Sequence, residues 1–95
     1  MASIGVLTLE LRIESSHSLK EKRHIVKSLK DRLGHRFNVA VAEIDFQDLW
    51  QRSMIAAVTV AAERGSAQAV LQSVESDASE ILGAMLVSAN VEWID

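Results

Sequence analysis

The chain has no cysteine and no proline. The first absence removes disulfides, thiolate nucleophiles and sulfur-ligated metals together, and it suits a reducing, cytoplasmic setting. The second leaves the boundaries between elements to be read from glycine, serine and the period of the apolar residues. Long hydrophobic runs are missing too: no stretch of about 18 uncharged apolar residues exists to span a bilayer, so no membrane partner is expected. The apolar opening segment, MASIGVLTLELRIE, is interrupted by Thr8, Glu10, Arg12 and Glu14. That is the alternation of a strand, not the continuous core of a signal peptide. Walker loops, dinucleotide fingerprints and zinc-ligand clusters are absent as well, and His17, His24 and His35 have no serine or carboxylate at a spacing that assembles a triad. The expectation is a non-enzymatic protein with no catalytic residue, no cofactor and no metal.

What is present fits a single domain over residues 1–95. The apolar fraction of 48% and the charged fraction of 24% are ordinary globular values that disfavour disorder. Residues 4–14 alternate strictly, with Leu7, Leu9, Leu11 and Ile13 on one face, as a half-buried strand does. Ser18 and Glu21 form an S-x-x-E capping box, so a first helix starts near Leu19 and is expected to stop near Gly34. Residues 38–45 and 53–63 read as a second and third strand joined by FQDLWQR. Ser66 is expected to cap a second helix with Ala67, Val70, Leu71, Val74, Ala78, Ile81 and Leu82 on its buried stripe, and Gly83 to break it. Residues 86–94 alternate again as a fourth strand.

The order is β-α-β-β-α-β, an α+β, ferredoxin-like sandwich. Right-handed crossovers give an antiparallel sheet in the order 4-1-3-2 with both helices on one face. Strands two and four are the edges, where Glu43, Asp45, Glu92 and Asp95 supply charge against edge-to-edge pairing.

Charge is unevenly spread. The formal net charge is −3, yet residues 20–36 hold seven of the ten Lys and Arg residues against only Glu21 and Asp31, so that segment is +5 and the rest −8. On a helical wheel Leu19, Ile25, Val26, Leu29 and Leu33 face the core, and Lys20, Arg23, Lys27 and Lys30 fall on an adjacent strip. The first turn of a helix favours negative side chains, so local stability does not account for Lys20, Lys22 and Arg23 there. The strip, the helix start and residues 15–18 therefore form a candidate anion surface for Lys20, Lys22, Arg23, Lys27, Lys30 and Arg36. The competing expectation is that the strip pairs with Glu75, Asp77 and Glu80 of helix two or is merely solvated. Lys22 points near the middle of the apolar stripe, and the expectation is that it snorkels past the core edge.

The hairpin EIDFQDLWQR raises three readings. Glu43, Asp45 and Asp48 lack both a histidine at ligand spacing and a calcium loop, which argues against a metal. Trp50 is expected to cover an open end of the core, with Arg52 paired to Asp48. The alternative makes Asp48, Trp50 and Arg52 a docking element for a partner. On the sheet face away from the helices the expected residues are Val6, Thr8, Glu10, Ile55, Ala57, Thr59 and Ala61, with no aromatic to stack a base as RNA-recognition modules of this fold do. A homodimer burying that face is the use it suits.

The run SLKEKRHIVKSLKDRL, followed by RFNVAVAEID and QDLWQR, closely resembles the YlxP-like family of small bacterial proteins, domain of unknown function family 503. The likeness covers nearly the whole chain, with Ser18–Leu19–Lys20–Glu21–Lys22–Arg23 matching one motif, and Asp45 with residues 47–52 matching another. It implies a ferredoxin-like fold and a translation-linked setting, since such proteins are often encoded near initiation factor two and ribosome-binding factor A. It assigns no catalytic residue, and Phe46 stands where similar proteins often place a polar residue or histidine. The leading expectation is a small cytoplasmic factor binding structured RNA or a ribosomal particle through the basic strip. The alternative is a homodimeric interaction module docking a partner through the hairpin.

Overall fold

Leu7, Leu9, Leu11 and Ile13 are fully buried, as their alternation requires, and they form the floor on which two helices lie. The computed structural model describes residues 1–94; Asp95, expected to charge an edge, lies outside the described residues. The elements are β1 (Ser3–Arg12), α1 (Leu19–Arg36), β2 (Ala40–Asp45), β3 (Arg52–Ala61), α2 (Arg64–Leu82), a 3₁₀ turn (Gly83–Met85) and β4 (Leu86–Ile94). Their sheet runs β2-β3-β1-β4 with every pairing antiparallel. This is the ferredoxin-like order, the expected 4-1-3-2 viewed from the other edge.

The core joins the β1 leucines and Ile55 to Val26, Leu29 and Leu33 of α1 and to Leu71, Val74, Ala78 and Leu82 of α2. At Gly5 a Cβ would stand 2.7 Å from Leu71 Cδ1 and 2.8 Å from Trp93 Cζ3. The missing side chain is what lets α2 and β4 close over β1. Gly83 has φ +56° and ends α2, a conformation glycine adopts without steric cost.

Four local expectations are corrected. α1 passes through Gly34 to Arg36, because nothing there demands a left-handed residue; it ends where extended Phe37 donates its N–H to Leu33 O. α2 begins at Arg64 with Glu63 as its N-cap, and Ser66 already lies inside the helix. Ile81 is exposed, off the edge of the buried stripe. Finally, Leu7 pairs with Ala57 and Leu9 with Ile55, so Ile55, Ala57 and Thr59 face the helices and are buried. The open face instead shows Met54, Ala56, Val58 and Val60 beside Ile4, Val6, Thr8 and Glu10. The Ala and Val residues of β3 are apolar at both parities, so only the pairing fixes its face.

Candidate functional site

The start of α1 is closed by the chain itself. Glu21 N donates to the N-cap Ser18 Oγ at 3.1 Å, as in a capping box, while the Glu21 carboxylate reaches one residue further back and accepts from His17 N at 2.7 Å. Ser16, buried, donates its hydroxyl to Ser18 O at 3.0 Å. Donors expected to cradle an anion are thus engaged internally, with the Glu21 carboxylate among them.

The strip beside it is open. Lys20, Arg23 and Lys27 are exposed and Lys30 is half-buried. None of the four forms an ion pair with α2 among the described residues. The acid of α2 that faces α1 is Asp77, which is 6% exposed and is taken by Arg36 at 2.8 Å and Arg32 at 3.4 Å. Arg36 also stacks over Phe37 with its Cζ 5.6 Å from the ring centre, so this candidate anion contact serves to tie α1 to α2. Lys27 pairs with Asp31 one turn away at 2.7 Å. The hydrogen bond from Lys27 holds the Asp31 carboxyl below its usual range, and the same bond raises Lys27. Lys20, Arg23 and Lys30 enter no ion pair among the described residues.

Lys22 does not reach solvent. It is fully buried, and its Nζ donates to Phe46 O at 2.5 Å and Gln47 O at 3.3 Å while pairing with Glu43 Oε2 at 2.8 Å. Glu43 Oε2 also accepts from the buried Ser53 hydroxyl at 2.6 Å. A buried ammonium is tolerated because its three protons have three acceptors. Lys22 is therefore a clasp between α1 and the β2–β3 hairpin and not an anion contact. The pairing leaves a signal in the sequence that is visible once the fold is known: Glu43 follows Val39 and Val41 on the inward parity of its strand, and Lys22 sits on the inward stripe of its helix, two opposite charges on apolar faces.

The clasp fixes an unusual loop. Phe46 has φ +63°, a left-handed conformation disfavoured for a bulky residue. It is held by Asp45 Oδ1, which accepts from Phe46 N at 2.7 Å, by Leu49 N donating to Phe46 O at 3.0 Å, and by the Arg52 guanidinium 4.0 Å above its ring. Arg52 donates to Glu10 at 3.2 Å, so the expected pair with Asp48 is not made: Phe46 and Glu10 draw the guanidinium onto the sheet. Glu43 is taken by Lys22 and Ser53 and Asp45 by Phe46 N, and among the described residues no group of three His, Asp or Glu could hold a metal ion. Gln51, part of the second motif but given no role by its pattern, donates from Nε2 to Glu14 O at 3.1 Å and Ser16 O at 3.2 Å. Ile13 N donates to Gln51 O at 2.8 Å, locking the hairpin to the connection between β1 and α1. The two sequence motifs thus meet in space.

What this bracing presents outward is Leu49, 46% exposed, and Trp50, 53% exposed. Trp50 does not cover the core, contrary to expectation; its ring stands out from the loop, while Phe46, half-buried, lies under the Arg52 guanidinium. Residues 48–52 line one groove, and Ser15, Ser16, Lys20, Glu21, His24 and Ile25 line a second. The Gln51–Ser16 hydrogen bond joins their walls. No helix among the described residues is long and apolar enough to cross a membrane.

Comparison with known proteins gives a family without an assigned activity. Residues 4–91 match the profile of a protein family of unknown function, DUF503. The uncharacterized protein YlxP of Bacillus subtilis is 38% identical over 71 residues, 75% of this chain and 77% of that protein. Among solved structures, the de novo designed protein Foldit4 superposes with a TM-score of 0.63 at 6% identity, covering 100% of this chain and 98% of its own. A second de novo design, LFR1 1, which has a ferredoxin fold, gives 0.50 at 15% identity over 99% and 84%. At such identities the likeness speaks for the fold alone.

Proposed function

The chain belongs to the DUF503 family of proteins of unknown function, and from that premise and its own surface we propose that it is a small, non-catalytic cytoplasmic factor that binds structured RNA or a ribosomal particle through the basic strip of α1. The observation that carries this reading is the exposure of Lys20, Arg23 and Lys27, with Lys30 at their side, while the arginines that do pair with α2 are Arg32 and Arg36. A chain of net charge −3 keeps this one helix face positive and mostly unneutralised. Such a face tracks phosphates: it releases counterions on binding and recognises charge and shape with little reading of sequence. The translation-linked setting implied by the family resemblance agrees with a ribosomal target.

The test is binding of the purified protein to ribosomal subunits and to a generic structured RNA across a salt titration. Affinity should fall steeply with salt, and replacing Lys20, Arg23, Lys27 and Lys30 with Gln should weaken it and flatten the slope by a little under one for each phosphate left without a cation. Unchanged affinity in that variant overturns the proposal.

A second reading concerns the open sheet face. Val58, Val60 and Ile94 are 37%, 54% and 56% exposed, on the side of the sheet that no helix covers. This supports a homodimer packed sheet to sheet. Sedimentation at micromolar concentration should then report a dimer that Val60→Asp dissociates.

A further inference from the structure

We infer that Trp50 stacks on an unpaired base, so that the hairpin tip and the start of α1 form a nucleotide site beside the phosphate-binding strip; this rests on the RNA-binding reading above. Four features of the loop lead to it. Trp50 is 53% exposed although the loop that carries it is fixed on every side, by Lys22 at the carbonyls of Phe46 and Gln47, by Asp45 at Phe46 N, and by Gln51 at Glu14 and Ser16. A large ring held out in water on a braced loop has its ordering cost met before any ligand arrives.

The second feature is position. The groove beside Trp50 and the groove holding Lys20 and His24 share a wall, because Gln51 lines the first, Ser16 lines the second, and the two are hydrogen-bonded. A base on Trp50 therefore has its backbone at the end of the helix where the unpaired cations begin. The third is size. Leu49 and Trp50 are the only exposed large apolar residues of the loop, set between Gln47, Asp48 and Gln51. A pair of apolar side chains of that size matches the face of one or two bases. The fourth is chemistry. Asp48 on the groove rim is an acceptor for a base amino group, as carboxylates are for cytosine N4. The central strands carry no aromatic on either face, so this loop, and not the sheet, offers the stacking platform.

The chain labelled with 5-fluorotryptophan gives two fluorine resonances, assigned by Trp50→Phe. Titration with a twelve-nucleotide single-stranded RNA should shift the Trp50 resonance and leave Trp93 in place, whereas a blunt duplex of equal charge should bind without moving either. Trp50→Ala should weaken single-strand binding by roughly five- to a hundredfold and leave duplex binding unchanged; Trp50→Leu, which keeps bulk without an aromatic face, should behave the same way. Binding of both RNAs with a silent Trp50 overturns the stacking site and leaves the strip standing. A Trp50 resonance that responds to ribosomal subunits but to no single strand overturns the unpaired-base site too. Failure of every RNA and of the subunits to bind overturns the strip and the site together.

Discussion

Lys22 Nζ and Glu43 Oε2 stand 2.8 Å apart with side-chain exposures of 1% and 17%, and this pair joins the first turn of α1 to the hairpin. Breaking a buried pair from one side leaves an uncompensated charge. Lys22→Met strips Glu43 of its counter-ion and the Phe46 and Gln47 carbonyls of a donor, and should cost about 3 kcal/mol, the lower end of the range because Glu43 keeps some water. Lys22→Met with Glu43→Gln should recover part of that, since Gln still accepts from Ser53 and leaves no charge behind. Urea unfolding of both variants checks the order, and equal stability of the two would show that Glu43 does not need the ammonium.

Gly5→Ala should destabilise by about 1–3 kcal/mol, the usual cost of an added methyl in a packed core. Its Cβ would meet Leu71 and Trp93 at 2.7 and 2.8 Å, and both neighbours are themselves packed against the core. Unfolding midpoints with near-ultraviolet circular dichroism of Trp93 measure it. Gly34→Ala should do the reverse by about 0.5–1 kcal/mol, because that glycine lies inside α1 with open space around it.

Asp31 tempers the strip. Its carboxyl is held low by the hydrogen bond from Lys27, so the pair's contribution to the helix is present above the ordinary aspartate range and fades as pH falls through the depressed value. Lys27, raised by the same bond, loses its share only as pH rises through its own elevated value. Lys27→Gln should raise the Asp31 value in an NMR titration. Asp31→Asn should release Lys27 and increase both RNA affinity and its salt slope, with little change in melting temperature because both side chains are in water.

Trp50→Ala should leave folding stability within about 0.5 kcal/mol of the parent, as exposed positions do, despite the size of the side chain removed. Trp93→Ala should not be tolerated in the same way, since Trp93 packs against the core and under Arg64, whose Cζ lies 4.5 Å from its ring centre. Denaturant curves for the two variants separate an outward tryptophan from an inward one.

The contrast between these tryptophans shows where the sequence was legible. Periodicity placed every strand and helix within a few residues, because Leu7, Leu9 and Leu11, or Leu29 and Leu33, declare their face by spacing alone. The strip of Lys20, Arg23, Lys27 and Lys30 was legible on the same ground. Lys22 was not: two of its three partners are backbone carbonyls 24 and 25 residues away, which no side-chain pattern records. The outward Trp50 was not legible either, because average burial does not know that Lys22, Asp45 and Gln51 brace this loop through bonds to its backbone and to the β1–α1 connection. Arg52 was assigned to its sequence neighbour Asp48, whereas the strand register sets it beside Glu10, 42 residues away.

Ile4 pairs with Ile94 across β1 and β4, while the far end of β1 carries Arg12 opposite Arg52 at the base of the hairpin. Both described extremities of the chain therefore emerge at one pole of the sheet and the braced loop at the other, a strand's length or about 30 Å away. A tether, fluorophore or surface anchor introduced beside Ile4 or Ile94 leaves the loop facing free solution.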